Sequence, residues 1–374
     1  MILVCTILMV GCTATTKEEL TESGLKRSDF QTEVNGEKTD LFVLKNKNNM
    51  EVCITNFGGR IVSVMVPDKD GNMKDVVLGF DSIQDYIKYP SDFGASIGRY
   101  ANRINQGRFT LDGVEYQLPQ NNYGHCLHGG PKGFQYRVYK GVQKNDQEVQ
   151  LTYLAKDGEE GFPGNLDVTV VYTFTNQNEL VITYSAITDQ RTIVNLTHHA
   201  FFNLAGLANP TPSVENNIVT INADFYIPMD EVSIPTGEIA KVEGTPMDFR
   251  TPHTVGSRIN EPFQQLVYGA GYDHCYVLNK KEPGTLTFAA KCVEPESGRS
   301  LEVYTTEPGV QVYTHNWANG FSGWHGATFP KRSAICFEAQ HFPDSPNKGH
   351  FPPVILNPGD TYHQVTIYKF GVEE

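Results

Sequence analysis

The sequence predicts an all-β protein, a large antiparallel β-sandwich, on three observations. Short runs that alternate apolar and polar residues recur along the chain, turn dipeptides fall between them, and helical periodicity is scarce. Composition agrees: 18 Tyr and 21 Phe favour strands, and 34 Gly with 21 Pro supply turns. The strand-like runs are, in order, Leu41–Leu44, Glu51–Asn56, Ile61–Val66, Gln150–Tyr153, Asp167–Thr175, Glu179–Ala186, Ser333–Glu338 and Thr361–Phe370. Asp167–Thr175 carries much of the period of two expected of a half-buried strand. Asp70-Gly71, Asp112-Gly113 and Asp157-Gly158 read as turns, and Ser82–Lys88 reads as a short turn of helix. No linker or low-complexity tract interrupts residues 29–374, so this stretch is read as one sandwich domain. Such sandwiches often hold ligands on the concave face of one sheet.

Residues 1–28 read differently. The apolar run Met1–Gly11 is shorter than the roughly 20 residues a helix needs to cross a bilayer, so no transmembrane span is expected. The run fits the apolar region of a secretory signal, although no Lys or Arg precedes it. Val10-Gly11-Cys12 resembles a bacterial lipobox, with Met9 where Leu is usual and Thr13–Ser28 as a polar tether. The expectation is an exported bacterial protein, periplasmic or membrane-anchored, with a possible lipid anchor at Cys12. The alternative is an ordinary cleaved signal with an incidental Cys.

Composition excludes several classes of partner. A formal net charge of −13 repels nucleic acid and anionic membrane surfaces but not a neutral ligand such as a sugar. Seven cysteines include no C-x-x-C pair, and the nearest Cys–His groupings, His125-Cys126-Leu127-His128 and His274-Cys275, lack zinc-ligand spacing. Their irregular spacing does not suit a disulfide framework, so mostly free, buried thiols are expected, with no metal site and no cofactor.

Four polar clusters stand in apolar or Gly-rich surroundings: Gly98–Ile104, His125–Gly130, Asn195–Leu204 and Ile335–Gln340. Gly271–His274 adds a further carboxylate. They supply His, Glu, Asp and Arg without a nucleophile motif. Glu338 lies in an otherwise apolar run, sharing a strand face with Cys336 and Gln340, so its carboxylate is either paired or functional. A His and a carboxylate across a cleft are the minimum set for moving two protons at once, as opening a sugar ring requires.

These segments resemble the aldose 1-epimerase, or galactose mutarotase, family. The matching stretches are Gly98–Ile104, Leu127–Gly130, Asn195–Leu204, Gly271–His274, Gly309–Tyr313 and Ile335–Gln340, in the family's order. The resemblance extends over nearly all of residues 29–374, and Asn-Leu-Thr-His-His-Ala-Phe-Phe-Asn-Leu is its most specific part. It implies the family's antiparallel β-sandwich, a free monosaccharide as partner, and conversion of α and β anomers of aldohexoses such as glucose and galactose without a cofactor. It implies that Glu338 is the general base on O1, that His199 is the general acid on O5, and that His128 hydrogen-bonds the sugar near the reacting centre. It also implies that Arg103 and Asp273 grip hydroxyls, flanked by Asn102 and Gln311.

Several expectations accompany these roles. Because adjacent strand residues face opposite ways, His198 is expected to point away from the site if His199 points in. His125 and Arg99 read as structural, and Phe201 and Trp317 as candidate stacking walls. His199 is expected to be cationic, raised by nearby carboxylates, and Glu338 ionised, with Arg103 or hydrogen bonds holding it so. Three other functions remain open. A sugar-phosphate mutarotase would need more basic groups than Arg99, Arg103 and Arg108. A binding-only carbohydrate module would keep Asp273 and Arg103 but has no need of both Glu338 and His199. A glycoside hydrolase would use Glu338 with Asp273. A monomer and a dimer fit equally.

Overall fold

The computed structural model describes residues 19–318 and 320–373. Its largest element is a nine-stranded sheet, every adjacent pair antiparallel. The spatial order is Lys140–Asn145, Glu148–Ala155, Leu166–Phe174, Glu179–Thr188, Tyr362–Val372, Arg299–Thr305, Thr287–Val293, Ile218–Ile221, His253–Thr254. In Leu166–Phe174 the alternate residues Leu166, Val168, Val170, Tyr172 and Phe174 are buried. Each fully buried side chain of this kind contributes roughly 1.5–3 kcal/mol, and one face of the sheet becomes a continuous apolar surface.

Shorter sheets cover that face. One runs Ala240–Lys241, Phe225–Tyr226, Asp273–Val277, Gly309–Tyr313, Cys336–Gln340, and another runs Leu41–Lys45, Glu51–Thr55, Arg60–Pro67, Met73–Asp75. Between them lies the pair Thr197–His199 and Ala95–Ile97. Phe202 then bridges to Val77 on one side and Ile335 on the other. The shared core holds Tyr172, Ile182, Tyr368 and Phe370 of the large sheet with Val310, Val312, Phe337, Ile54 and Val64 of the covering layer.

Buried polar groups of the large sheet also pin the covering layer. Tyr184 donates to the Thr197 carbonyl at 3.0 Å, and Tyr368 to the Phe337 carbonyl at 2.9 Å. Gln364 donates to the Ala339 carbonyl at 3.0 Å, and Thr197 donates to the same oxygen at 2.7 Å. Each buried hydroxyl or amide must find such an acceptor. The strands bearing His199 and Glu338 are therefore held to the core and to each other.

All eight expected strand runs contain strands, within a few residues at their ends. The largest shift is at Ser333–Glu338, where the strand is Cys336–Gln340. Ser333 is taken up in a turn, its amide donating to the Pro330 carbonyl at 3.1 Å, so pairing with Gly309–Tyr313 starts only at Cys336. The expected helical turn is Ile83–Lys88, capped by the Ser82 hydroxyl accepting from the Asp85 amide. Gln264–Tyr268 forms a further short helix that the sequence did not signal. Cys53, Cys126, Cys275, Cys292 and Cys336 are free and buried. The apolar run and the lipid anchor expected at Cys12 lie outside the described residues. Among the described residues no helix is long and apolar enough to cross a membrane.

Candidate active site

Strand parity decides which side chains meet. In Cys336–Gln340, Phe337 faces the core and Glu338 the opposite side. Glu338 stands directly opposite Gln311 in the register, and Cys275 is opposite Gln311 on the other side. Gln311 donates to Asp273 Oδ1 at 2.7 Å. Thr197–His199 shows the same parity. His198 turns inward, its Nε2 3.4 Å from the Gly59 carbonyl and its ring edge-on to Tyr172, while His199 turns outward. His199 Nε2 lies 3.4 Å from Glu338 Oε1. The His199 ring is stacked on Phe201, with centroids 4.6 Å apart and planes 6° apart.

Two loops close the site from the other side. Leu127 pairs with Arg103, which brings His128 beside Asn102. The Asn102 amide donates to His128 Nδ1 at 3.2 Å, and the His128 amide donates to the Asn102 carbonyl at 3.0 Å. With Nδ1 an acceptor, a neutral His128 carries its proton on Nε2. Asn102 (φ 61°) and His128 (φ 51°) are both left-handed, an arrangement that non-glycine residues adopt at a cost. Gly129 follows because a Cβ there would lie 2.0 Å from the Gly98 carbonyl oxygen. The His128 ring is edge-on to His199, 5.3 Å between centroids.

The result is a cavity of about 290 Å³, near the lower end for ligand pockets and sized for a single sugar ring. Asn102, Arg103, His128, His199, Asp273 and Glu338 all line it, with Phe201 in the wall and Trp317 at the rim. Gln311 lies beneath, touching it through Asp273. Glu338 Oε2, His199 Nδ1 and Gln311 Oε1 are buried without a hydrogen-bond partner. Buried polar atoms are seldom left so unless something else satisfies them. A second His–Glu pair makes the contrast. His341 Nδ1 lies 2.6 Å from Glu307 Oε2, the Glu307 charge keeps the His341 pKa raised despite burial, and neither residue has an orphaned atom. That pair lines a larger recess of about 820 Å³ and reads as a satisfied ion pair.

Burial opposes the expected charges. It pushes the His199 pKa down to about 3, helped by His128, against the pull of Asp92. It drives Glu338 well above the ordinary carboxylate range, reinforced by Asp273 and Asp92. Arg103 acts in the expected direction but is outweighed. Asp273 is raised by burial too, against Arg103 and Gln311. Burial thus disfavours the charged form of both partners, because a low dielectric disfavours separated charge.

The structure brings together all seven residues singled out from sequence. His198, His125 and Arg99 are structural, as expected: the Gln106 amide donates to His125 Nδ1 at 2.9 Å, and Arg99 donates to the Pro163 carbonyl at 2.7 Å. Phe201 supports His199 more than it forms an open wall. Sequence reasoning missed Asp92, Phe93, Tyr136, Tyr313 and His315, which also line the cavity. Asp92 stands in Pro90-Ser91-Asp92-Phe93-Gly94, an ordinary-looking loop, and only its proximity to the histidines marks it. Asp92, His128 and His199 each offer an atom within 4.8 Å of the others, the one grouping among the described residues with a metal-like ligand set. Such a triangle has a point within about 2.8 Å of all three atoms, the reach of hydrogen bonds to one shared oxygen. A zinc ion at about 2.0–2.1 Å would require the side chains to close in.

Comparison with known proteins places the chain in a family. The family model for aldose 1-epimerase matches residues 40–369. The galactose mutarotase of Bos taurus is 45% identical over 326 residues, covering 87% of this chain and 92% of that one. The aldose 1-epimerase of Escherichia coli K12 is 36% identical over 341 residues, covering 90% and 97%. The crystal structure of an aldose epimerase homologue from C. elegans superposes with a TM-score of 0.83 at 30% identity, covering 90% of this chain and all of that one. The exported, periplasmic or lipid-anchored bacterial placement is corrected by these findings. The strong similarity is to a mammalian galactose mutarotase, and the family match begins at residue 40, beyond the leader on which that placement rested.

Proposed function

Because this chain belongs to the aldose 1-epimerase family and interconverts the α and β anomers of aldoses, we propose that Glu338 and His199 carry the two proton transfers of that reaction. Glu338 takes the O1 proton while His199 donates to O5, and the C1–O5 bond breaks. The open aldehyde turns about C1–C2 and presents its other face. The same two groups then run in reverse and close the ring as the other anomer.

The pair must hold one proton in total, whichever member carries it at rest. In the neutral pair that proton sits on Glu338, so one hop to His199, across 3.4 Å, produces carboxylate base and imidazolium acid. The sugar's hydroxyls, with Arg103 beside the carboxylates, favour that charge-separated form by supplying hydrogen bonds that the buried atoms lack. Each placed acid or base typically contributes about 10²–10⁴ in rate, so the two together lower the barrier by roughly 5–11 kcal/mol. His128 presents its Nε2–H to a sugar oxygen. Arg103, Asp273, Asn102 and, through Asp273, Gln311 hold the hydroxyls of a free aldohexose.

The observation that carries this reading is the 3.4 Å His199–Glu338 contact in a ring-sized cavity, with one atom of each group left unsatisfied. Polarimetry on freshly dissolved α-glucose and α-galactose tests it. Glu338→Gln and His199→Asn are expected to lose anomer exchange by a factor of about 10³ or more while remaining folded. Near wild-type rates in either variant would refute the assignment.

A further inference from the structure

We propose that Asp92 binds the C6 hydroxyl of the substrate and so makes the site selective for aldohexoses over sugars that lack this group. The inference rests on the reading that His199 serves the ring oxygen and Glu338 serves O1.

Asp92 lines the cavity, and its Oδ1 is buried without a hydrogen-bond partner. One atom from each of Asp92, His128 and His199 lies within 4.8 Å of the others, so an oxygen held between Asp92 and His128 sits beside the His199 ring that serves O5. The chemistry of the three groups narrows which oxygen. A carboxylate only accepts hydrogen bonds. His128 has its Nδ1 engaged by the Asn102 amide, so its Nε2–H only donates. A donor and an acceptor converging on one oxygen match a hydroxyl, which does both, and do not match a ring ether oxygen, which cannot donate.

Connectivity narrows it further. With O5 at His199 and O1 at Glu338, the ring oxygen has two neighbouring carbons. C1 carries O1. C5 carries the hydroxymethyl group, whose oxygen O6 is the other hydroxyl that reaches the vicinity of O5. Asp92 comes from the segment before Ala95–Ile97, whereas Asp273 and Gln311 come from the sheet strands beneath the cavity. The remaining ring hydroxyls fall to those residues and Arg103.

The test is polarimetric kcat/KM for three sugars that differ only at this position: D-galactose, 6-deoxy-D-galactose and L-arabinose, which lacks C6 altogether. A lost hydrogen bond to a charged group commonly changes binding about tenfold to a hundredfold. The wild-type protein is expected to prefer galactose over both analogues by about tenfold or more. Asp92→Ala is expected to bring galactose and the two analogues to within about twofold of one another, so that the preference collapses, on top of any common change in rate from removing a charge that acts on His199 and Glu338. Equal wild-type rates on galactose and 6-deoxygalactose overturn the proposal, as does an Asp92→Ala variant that keeps the wild-type preference for galactose. Should Asp92→Ala not fold, the isosteric Asp92→Asn carries the same test, with loss of the galactose preference expected and its retention overturning the proposal. Activity on every sugar without C6 dependence sinks only the role of Asp92, whereas inactivity on every sugar, arabinose included, sinks the acid–base reading on which it rests.

Discussion

Asn102 and His128 hold one another through reciprocal hydrogen bonds: the Asn102 amide donates to the His128 ring and the His128 amide donates to the Asn102 carbonyl. This arrangement sets the imidazole tautomer. Burial, with the Arg103 charge, also pushes the His128 pKa down to about 3, so the ring is neutral. The ¹⁵N–¹H correlation spectrum of the His128 side chain is therefore expected to show the Nε2–H tautomer, unchanged between pH 5 and 8. An Nδ1–H or imidazolium signature in that range contradicts the geometry. His128→Phe is expected to reduce kcat/KM by about tenfold to a hundredfold, the loss of one buried donor.

His198 and His199 are neighbours in sequence and face opposite ways. His198 faces Gly59 and Tyr172 in the interior. His198→Phe is expected to lower thermal stability by about 1–3 kcal/mol, through misfit and lost polar contact, with kcat/KM within a few-fold of wild type. His199→Asn is expected to do the converse. Equal kinetic loss in both would mean that strand parity does not separate them.

Glu338→Gln makes a distinct stability prediction. The wild-type carboxyl is buried, raised in pKa and has one oxygen without a partner. Replacing it with a neutral isostere removes no satisfied ion pair, so the melting temperature is expected to stay level or rise while activity vanishes. A sharp fall in melting temperature, measured by calorimetry, would show that Glu338 supports the sheet instead.

The pH–rate profile follows from the one-proton requirement. Activity is lost on the acid side when the pair gains a second proton and on the basic side when it loses its only one. Burial holds the first event low, near the His199 value of about 3, and holds the second well above the ordinary carboxylate range. A broad plateau in kcat/KM is expected, without an acid limb at the ordinary histidine value near 6.5. A limb centred there, with a loss of tenfold per pH unit, would show that an exposed histidine controls the rate.

Stability is expected to depend on pH with a definite sign. Burial pushes His128, His198, His199 and His274 down to about 3 and His315 to about 4. Below about pH 6.5 the unfolded chain takes up protons that the native chain refuses, so this stability is present above that pH and lost as pH falls. Asp75, raised to about 8 by burial, acts oppositely, as do Asp81, Asp273, Glu338 and His341, their contribution being lost as pH rises. His125 is lowered as well, and carboxylates held low, such as Asp40 and Glu294, act in the same sense as the histidines, so the melting temperature is expected to fall from pH 6.5 to 4. A flat or rising trend across that interval contradicts the burial of these rings.

Much of this was legible in the chain. Alternation along Leu166–Phe174 and Glu179–Thr188 required one buried and one outward face, and the period of two alone is enough to read that. Glu338 and the His198-His199 pair stood out because ionisable groups in apolar strands must be satisfied or used. Asp92 did not stand out, because its loop has no periodicity and an aspartate in a loop is ordinary. The direction of the pKa shifts was not legible for a related reason: nearby carboxylates can be counted along the chain, but desolvation, which is the larger effect at His199 and Glu338, exists only in the folded interior.

The sequence by itself determined the sheet-forming runs, the family of the chain and the chemical groups available for proton transfer, since these follow from local residue pattern. Only the tertiary structure decided that His199 and not His198 meets Glu338, that Asn102 sets the His128 tautomer, and that Asp92 joins the two histidines. Each of those relations joins segments far apart in the chain, and their distances and burial exist only once the sheets have closed over a common core.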